Sequence, residues 1–394
     1  MSNVQMTVVD KATGNRQPVF PKTVASAVTD FEFKVKEIVK SMDLEGSIAS
    51  NKAVVHSYSR PRLFTVANNV ITIYAGTTVL IDSSYYTTKS NVTIDIGSHI
   101  PASNRKGKDV YIYAIANVNN ELQFMVSLNS TTPAGYTSTN SRKIGGFHCL
   151  CAAVGAIANH ALTGYAAGDV LPASRWDLLF RPLSEPEGMV YDEHTNVWID
   201  IYLASYNSAN GLQSVYGATT ADGASTEKFH WYKFNEFFRN VKKRLPFQYE
   251  FMSAARGSNQ GTNIKNSADP GTTGGFVDTA NRRMISDIGC EDMCGNLWQW
   301  GYDGGGGASA AEWGHNAFDD NDSGKEAGQH YMMPNRCLLG GHWSRSVGCG
   351  SRASDWGRSP LCLAAYCGAR GCSPLRPAVP IHLHIFYAIL GRRT

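Results

Sequence analysis

The chain has 394 residues, 43% apolar and 18% charged, the balance of a globular protein with room for two or three domains. Its formal net charge of +3 is too small for an electrostatic grip on nucleic acid, and no RNA- or DNA-binding motif accompanies it. No apolar run reaches the roughly eighteen residues that span a membrane, so membrane insertion is not expected.

The opening residues, MSNVQMTVVDKATGNRQ, have no apolar core of signal-peptide length, which predicts synthesis in the bacterial cytoplasm. Nine cysteines stand at 149, 151, 290, 294, 337, 349, 362, 367 and 372. Their number is odd and their spacing irregular. Without a secretion signal this predicts reduced thiols rather than a disulfide framework. Cys290-x3-Cys294 has no second pair to complete a zinc site, so no metal or cofactor is expected. The 38 glycines, with eight Trp and eighteen Tyr, suit a loop-rich, β-rich fold.

Residues 1–20 read as extended, with turns at Gly14 and Pro18. Val24, Val28, Phe31, Val35, Ile38 and Met42 then follow a 4-3-4-3-4 spacing, one narrow apolar seam on a helix. Such a seam fits packing between subunits and equally a helix lying on its own domain. Residues 50–150 read as all β, with strands at 62–74, 91–96, 109–118 and 122–128. In the third, Val110, Ile112 and Ala114 share one face and Tyr111, Tyr113 and Ile115 the other. Turn clusters at 101–108 and 118–121 separate the strands, and a sandwich is the natural arrangement. The polar run 131–146 reads as the passage to the next domain.

Beyond 176 the texture changes to Trp, Gly and polar loops. Phe234, Phe237, Phe238 and Val241 mark an amphipathic helix, with Lys242, Lys243 and Arg244 at its C-terminal end, where the helix dipole favours cations. A second helix is predicted over 247–255. The run Gly304–Gly307 and Asp303 read as a flexible loop. The expected division is 1–48 for oligomerisation or attachment, 49–165 for a β-sandwich, and 166–394 for a ligand-binding domain.

Four segments of this last region resemble the formylglycine-generating-enzyme branch of the C-type lectin fold. They are Lys243-Arg-Leu-Pro with Ala254-Ala-Arg-Gly257, Cys294-Gly-Asn-Leu-Trp-Gln-Trp300, Leu338-Leu-Gly-Gly-His-Trp343, and Gly368-Ala-Arg-Gly-Cys372. Each is weak alone; their shared order and spacing make the likeness specific. A closer resemblance, on Gly135-Tyr-Thr-Ser-Thr139, Arg142-Lys-Ile-Gly-Gly-Phe-His148, Trp198-Ile-Asp-Ile-Tyr-Leu203 and Gly350-Ser-Arg-Ala353, is to the bacteriophage tropism-determinant family, variable proteins of diversity-generating retroelements. It implies a β-rich α+β chain: an N-terminal helix/strand segment, a β-sandwich, then a C-type-lectin-like domain. It further implies a trimeric receptor-binding tip of a virion tail, bound to other tail-fibre proteins. The partner would be a host-surface receptor, protein or glycan. The sequence departs from the family in its first 48 residues and in the apolar tail 373–394.

Carried over by position, the resemblance places diversified contact residues at His342, Ser344, Ser346, Gly348, Asp355, Gly357, Arg358, Cys362, Ala364, Tyr366 and Cys367, with Arg345, Val347 and Ala365 beside them. The segment spans about 340–372. Trp298, Trp300, Gly340, Gly341, Trp343, Arg352, Trp356, Gly368 and Arg370 then form the fixed support. Trp298 and Trp300, two apart, share a strand face; Gly340 and Gly341 permit close backbone approach; Trp343 and Trp356 are large packing anchors. Randomising both adenines of an AAC codon cannot yield Lys, Glu, Gln, Met or Trp, and none of these occupies a candidate site. Tyr366 and Arg358 are the expected energetic anchors, since Tyr and Arg dominate hot spots.

Three other readings compete. A formylglycine-generating-type oxidase needs a reactive cysteine pair near the Gly-Gly-His-Trp segment, and 344–349 offers only Cys349. Asp319-x-Asn321-x-Ser323-Gly324 resembles the start of a calcium loop, but position twelve is His330 rather than Glu. A surface adhesin or a tail component with a fixed binding surface would share the fold without the diversity.

Overall fold

The computed structural model describes residues 62–82, 84–116, 121–308 and 334–376, with short strand segments at 7–9, 16–18, 54–55, 313–315 and 329–331. The helix expected over 24–42, the calcium-type motif beginning at Asp319 and most of the apolar tail lie outside the described residues. The chain divides into a unit of Met1–Ala53 and a unit of Val54–Thr394. In the first, Thr7–Val9 pairs antiparallel with Arg16–Pro18.

In the second unit the short segment Val54–Val55, paired with Thr78–Val79, precedes a hairpin of β1 (Phe64–Ala67) and β2 (Val70–Ile73). Asn68 and Asn69 turn it with φ of 49° and 60°, values that Asn tolerates and that a tight hairpin requires. The single strand expected over 62–74 is therefore two. β3 (Thr78–Ile81) pairs with β4 (Ser84–Thr87), and β5 (Val92–Asp95) pairs with β2. The expected turn at 101–108 contains one helical turn, Ala102–Arg105. Its Arg105 is buried and donates to the carbonyls of Gly168 at 2.6 Å and Ile100 at 2.5 Å.

β6 (Asp109–Ala116) lies between β7 (Leu122–Ser127) and β8 (Ser141–His148), and β9 (Trp176–Asp177) completes this sheet. The alternation read from the sequence holds. Val110, Ile112 and Ala114 join one core with Ile71, Ile73 and Phe147. Tyr111, Tyr113 and Ile115 pack into another with Trp176, Met189 and Trp198. Both faces of β6 are thus covered. The run 131–146 is not simply a passage between domains, because its last residues begin β8, a strand paired along its length with β6. Gly145 and Gly146 are required there: a Cβ on Gly146 would stand 2.7 Å from the Val110 carbonyl and 3.0 Å from the Trp176 ring. The sheet runs on to Asp177, past the expected boundary at 165/166.

In the remainder, β10 (Met189–Asp192) and β11 (Val197–Asp200) form a hairpin joined by β16 (Cys372–Pro374), so the end of the described chain returns to this sheet. The predicted helix is α1 (Trp231–Asn240), and it buries Phe234 and Phe238 completely while Phe237 and Val241 are half-buried. The second is α2 (Gln248–Ala254), where the Glu250 carboxylate accepts from the Phe247 backbone N–H at 2.8 Å. The last sheet has the order β14 (Ser354–Arg358), β13 (Pro334–Leu339), β12 (Trp298–Ala308), β15 (Cys367–Gly368). β12 includes the glycine run expected as a flexible loop. That expectation is corrected: Gly304 pairs with Arg336, whose guanidinium occupies the space a side chain at 304 would need. Among the described residues, no helix is long and apolar enough to cross a membrane.

All nine cysteines are free thiols, and eight of them are buried. Beneath the last sheet lies the Arg370 side chain, 0% exposed. Its Nε donates to Gln299 Oε1 at 2.6 Å; Nη1 donates to the carbonyls of Asp200 at 2.8 Å and Ile201 at 3.0 Å; Nη2 donates to the Glu291 carbonyl at 2.7 Å. Arg352, expected beside it as support, is exposed instead, because it follows a surface turn at Gly350. Replacing Arg370→Met strands four acceptors in a dry interior. Urea unfolding should show a loss of about 3–5 kcal/mol, whereas Arg352→Met should stay within about 0.5 kcal/mol.

Candidate binding surface

Residues 340–367 leave the last sheet as two excursions. Gly340 and Gly341, at φ 90° and 85°, turn the chain out of β13 against Met293 and Cys349, where a Cβ on Gly341 would lie 2.7 Å from the Cys349 sulfur. The chain then forms a short 3-10 turn at Ser346–Gly348 and returns as β14. Ser346 itself sits at φ 46°, a strained conformation for a residue with a side chain. The pairing of β13 with β14 runs Arg336 to Arg358 and Leu338 to Asp355, so β14 holds one extra residue. This bulge re-aims the side chains around Trp356 and Gly357. The second excursion, 359–366, is fastened by Trp231 N–H to the Pro360 carbonyl at 3.0 Å and Trp298 N–H to the Tyr366 carbonyl at 2.9 Å.

Fixed groups hold the backbone and leave the side chains outward. Trp343 N–H donates to the Asn296 carbonyl at 2.9 Å, Gly340 N–H donates to Ala353 at 2.9 Å, and the Asn263 amide donates to the Trp343 carbonyl. Ser344, Arg345, Ser346, Val347, Gly348 and Gly357 are exposed, Val347 to 87%. His342, Asp355, Arg358, Cys362, Ala364, Ala365 and Tyr366 are half-buried at the surface. At the centre the His342 and Tyr366 rings stack at 4.8 Å and 23°, with Trp343 edge-on to His342 at 5.2 Å. The Arg358 guanidinium lies 5.8 Å from the Tyr366 ring centroid, and its Nε is 3.4 Å from the Asp355 carboxylate. The two expected anchors therefore meet in one cluster.

Two expectations are corrected here. Cys367 does not project: it is 0% exposed in β15, paired with Trp298, because the sheet turns it inward. Trp343 and Trp356 are half-buried rather than core anchors. Trp343 follows the outward glycine turn, and Trp356 stands on an edge strand against Gly305. Trp298 and Trp300 are buried in one cluster, as their spacing requires. Leu363, 42% exposed beside these residues, went unnoticed in the sequence. So did Gln260, which reaches the Ser351 backbone N–H at 3.2 Å across 91 positions. Two crevices elsewhere, of about 560 and 370 Å³, include no residue of 340–372. Among the described residues no group of three or more His, Cys, Asp or Glu could hold a metal ion.

His342 carries a pH signature. Burial lowers its pKa below the ordinary 6.5, and Arg345 and Arg358 add repulsion. The unfolded chain therefore takes up this proton first as pH falls. The stability contribution is present above 6.5 and is lost as pH drops from there through the folded-state value. His342→Phe keeps a ring in the stack and removes the ionisation. Thermal melts of the variant should fall less steeply than those of the parent between roughly pH 7 and pH 5; identical slopes would mean that His342 does not titrate in this way.

A family model described as the Mtd second domain matches residues 62–177. The tail fiber receptor-binding protein of Bordetella phage BPP-1 is 32% identical over 322 residues, covering 77% of this chain and 79% of that protein. Among solved structures, the Major Tropism Determinant U1 variant superposes with a TM-score of 0.68 at 28% identity, over 94% of this chain and 92% of that one. The M1 variant gives 0.68 at 27% identity with the same coverage. Shared sequence and shared fold over most of both lengths agree, and the chain belongs to the family of phage tail fiber receptor-binding proteins that includes the Major Tropism Determinant.

Proposed function

We propose that this chain is a receptor-binding protein of a phage or prophage tail, and that the cluster of His342, Tyr366, Trp343 and Arg358 is the centre of its contact with the host surface. One observation carries the reading: outward side chains from two separate excursions meet at one surface, on a backbone whose hydrogen bonds come from buried, separate segments. Such a surface can change its side chains without losing its fold. The chemistry on display is mixed: stacked rings, one guanidinium, one carboxylate and small hydroxyls. That suits recognition of a protein or glycan face rather than capture of one small molecule. The reading takes the lectin-like domain to be of the formylglycine-generating-enzyme subtype, and the glycine turn at 340–341 and the buried Arg370 support it. Catalysis by the one thiol that the competing oxidase reading could use is disfavoured. Cys349 is buried, and burial pushes its thiol up to about 11, so it stays protonated at neutral pH.

In this reading residues 1–48 serve attachment or oligomerisation, and a homotrimer would add avidity to modest single-site contacts. The surface is the diversified segment of a retroelement, with the contact positions already named. Sequencing the DNA beside the gene tests this: a near-copy of the segment for 340–372, with adenines at the codons for His342, Ser344, Asp355, Arg358 and Tyr366, is expected. A copy differing elsewhere, or none, leaves a fixed surface.

Binding itself is tested with labelled protein on intact cells of the host strain. Tyr366→Ala and Arg358→Ala should each weaken attachment by about ten- to thirtyfold, the scale of a hot-spot truncation. Unfolding midpoints should move little, since both side chains are only half-buried. Retained attachment in a double variant would place the receptor contact elsewhere.

A further inference from the structure

The crevice of about 370 Å³ opens between α1, the start of α2 and β12. Trp231, Asn235 and Arg239 are spaced by four and so stand on one stripe of α1. Phe247 and Tyr302 complete the walls. Their rings form a series, Trp231 to Tyr302 at 6.0 Å and 45°, and Tyr302 to Phe247 at 5.2 Å and 71°. Hydrogen bonds fix these walls. Trp231 Nε1 donates to the Gly301 carbonyl at 2.9 Å, and Tyr302 N–H donates to the Pro246 carbonyl at 2.8 Å. Tyr302 is nevertheless 43% exposed. The core role of α1 is already met by Phe234 and Phe238, so packing alone does not account for a second set of rings at the surface. Of the two guanidiniums at the crevice, one is engaged: Arg244 donates to both Glu250 carboxylate oxygens at 2.7 Å. The Asp303 carboxylate beside Tyr302 is engaged too, accepting from Gln248 N–H at 2.6 Å. The exposed Arg239 guanidinium meets no acceptor among the described residues. Asn235 donates its amide to the Trp231 carbonyl at 2.8 Å, which leaves Oδ1 to accept.

We propose that this crevice is a second binding site, for a sugar unit that carries one carboxylate. A pyranose chair has a C–H face and a rim of hydroxyls. The C–H face packs on the Tyr302 ring, whose face is the negative side of its quadrupole. A hydroxyl donates to Asn235 Oδ1, and the carboxylate meets the Arg239 guanidinium in a charge-assisted pair. The volume lies at the lower end of the roughly 300–1,000 Å³ of small-ligand sites, which suits one sugar unit. Rings set at 45° and 71° to one another offer no parallel slot for a flat nucleobase. One unanswered guanidinium balances one carboxylate and not a di- or triphosphate. The inference does not depend on the receptor reading, because the cluster at 342–366 contributes no side chain to this crevice.

The test titrates the full chain with methyl glucuronide, and with methyl glucoside as the uncharged control, read by saturation-transfer NMR. Glucuronide should bind with a dissociation constant on the order of 1 mM, the level for a ligand of about a dozen heavy atoms. Glucoside should bind about tenfold more weakly, for want of the charged pair. Arg239→Gln should abolish that preference and leave glucoside binding unchanged. Tyr302→Ala should abolish binding of both sugars, and Tyr302→Phe, which keeps the ring and the fold, should retain it. Tyr366→Ala should bind the sugar as the parent does. No binding at tens of millimolar sugar, an unchanged preference in Arg239→Gln, or loss of binding in Tyr302→Phe would each overturn the inference. Benzoate bound as tightly as glucuronide would overturn the sugar class, and loss of binding in Tyr366→Ala would move the sugar to the other cluster.

Discussion

The Arg370 guanidinium is the constraint around which the last sheet is organised. A charge in a dry interior is tolerated only when its donors are answered. Here the acceptors come from three distant parts of the chain: the Asp200–Ile201 backbone, the Glu291 backbone and the Gln299 side chain. Beside it the Asp200 carboxylate accepts from Lys243 Nζ at 2.6 Å and from Gly371 N–H at 2.8 Å. Arg283 meets Glu291 at 2.6 Å. Asp292, pushed up to about 7 by burial first and by Glu291 second, shares the same interior. These groups fix β11, β12 and the segment 368–372 in one register, because a slip would strand several charges at once.

That rigidity explains how so irregular a surface holds its shape. Within 340–366, Ala353, Cys362, Ala364 and Tyr366 pack against the core only partly buried. The backbone of this segment is tied to Asn296, Trp298, Trp231 and Asn263, which are buried in other segments of the fold. Tolerance to side-chain change and precision of the backbone then come from different residues. The ion pair of Asp355 with Arg358, half-buried at the surface, adds little stability, since surface pairs are worth under about 1 kcal/mol. Its value lies in orienting Arg358 toward Tyr366.

Local patterns were legible in the sequence, and long-range ones were not. The period-two alternation of 110–115 and the helical spacing of Phe234, Phe237 and Phe238 are written in neighbouring residues, and both appear as read. The contact positions 342–366 followed from the resemblance, and most of them reach the surface. What failed is instructive. Gly145–Gly146 and Gly304–Gly307 look like loops because glycine weakens strands on entropic grounds. In the fold they lie in strands, and a Cβ would crowd Trp176 at Gly145 and Gly146 and Arg336 at Gly304. The Arg370 network joins positions 170 apart, and nothing at Asp200 or Gln299 marks them for one another.

Cys367 shows where surface and support meet. It follows Tyr366 directly, yet Tyr366 faces outward and Cys367 is sealed against Trp298 and Leu338 in the same core. A strand turns successive side chains to opposite sides, so this switch is forced once β15 begins at 367. If codon 367 were varied like its neighbours, most products would place a polar or bulky group in a filled cavity, at a cost of about 1–3 kcal/mol each. Variation there would be filtered by folding before any receptor was met. On the proposed reading, the side chains free to vary would be those that the strand leaves outside, and the same parity that builds the sheet would set the border of the proposed surface.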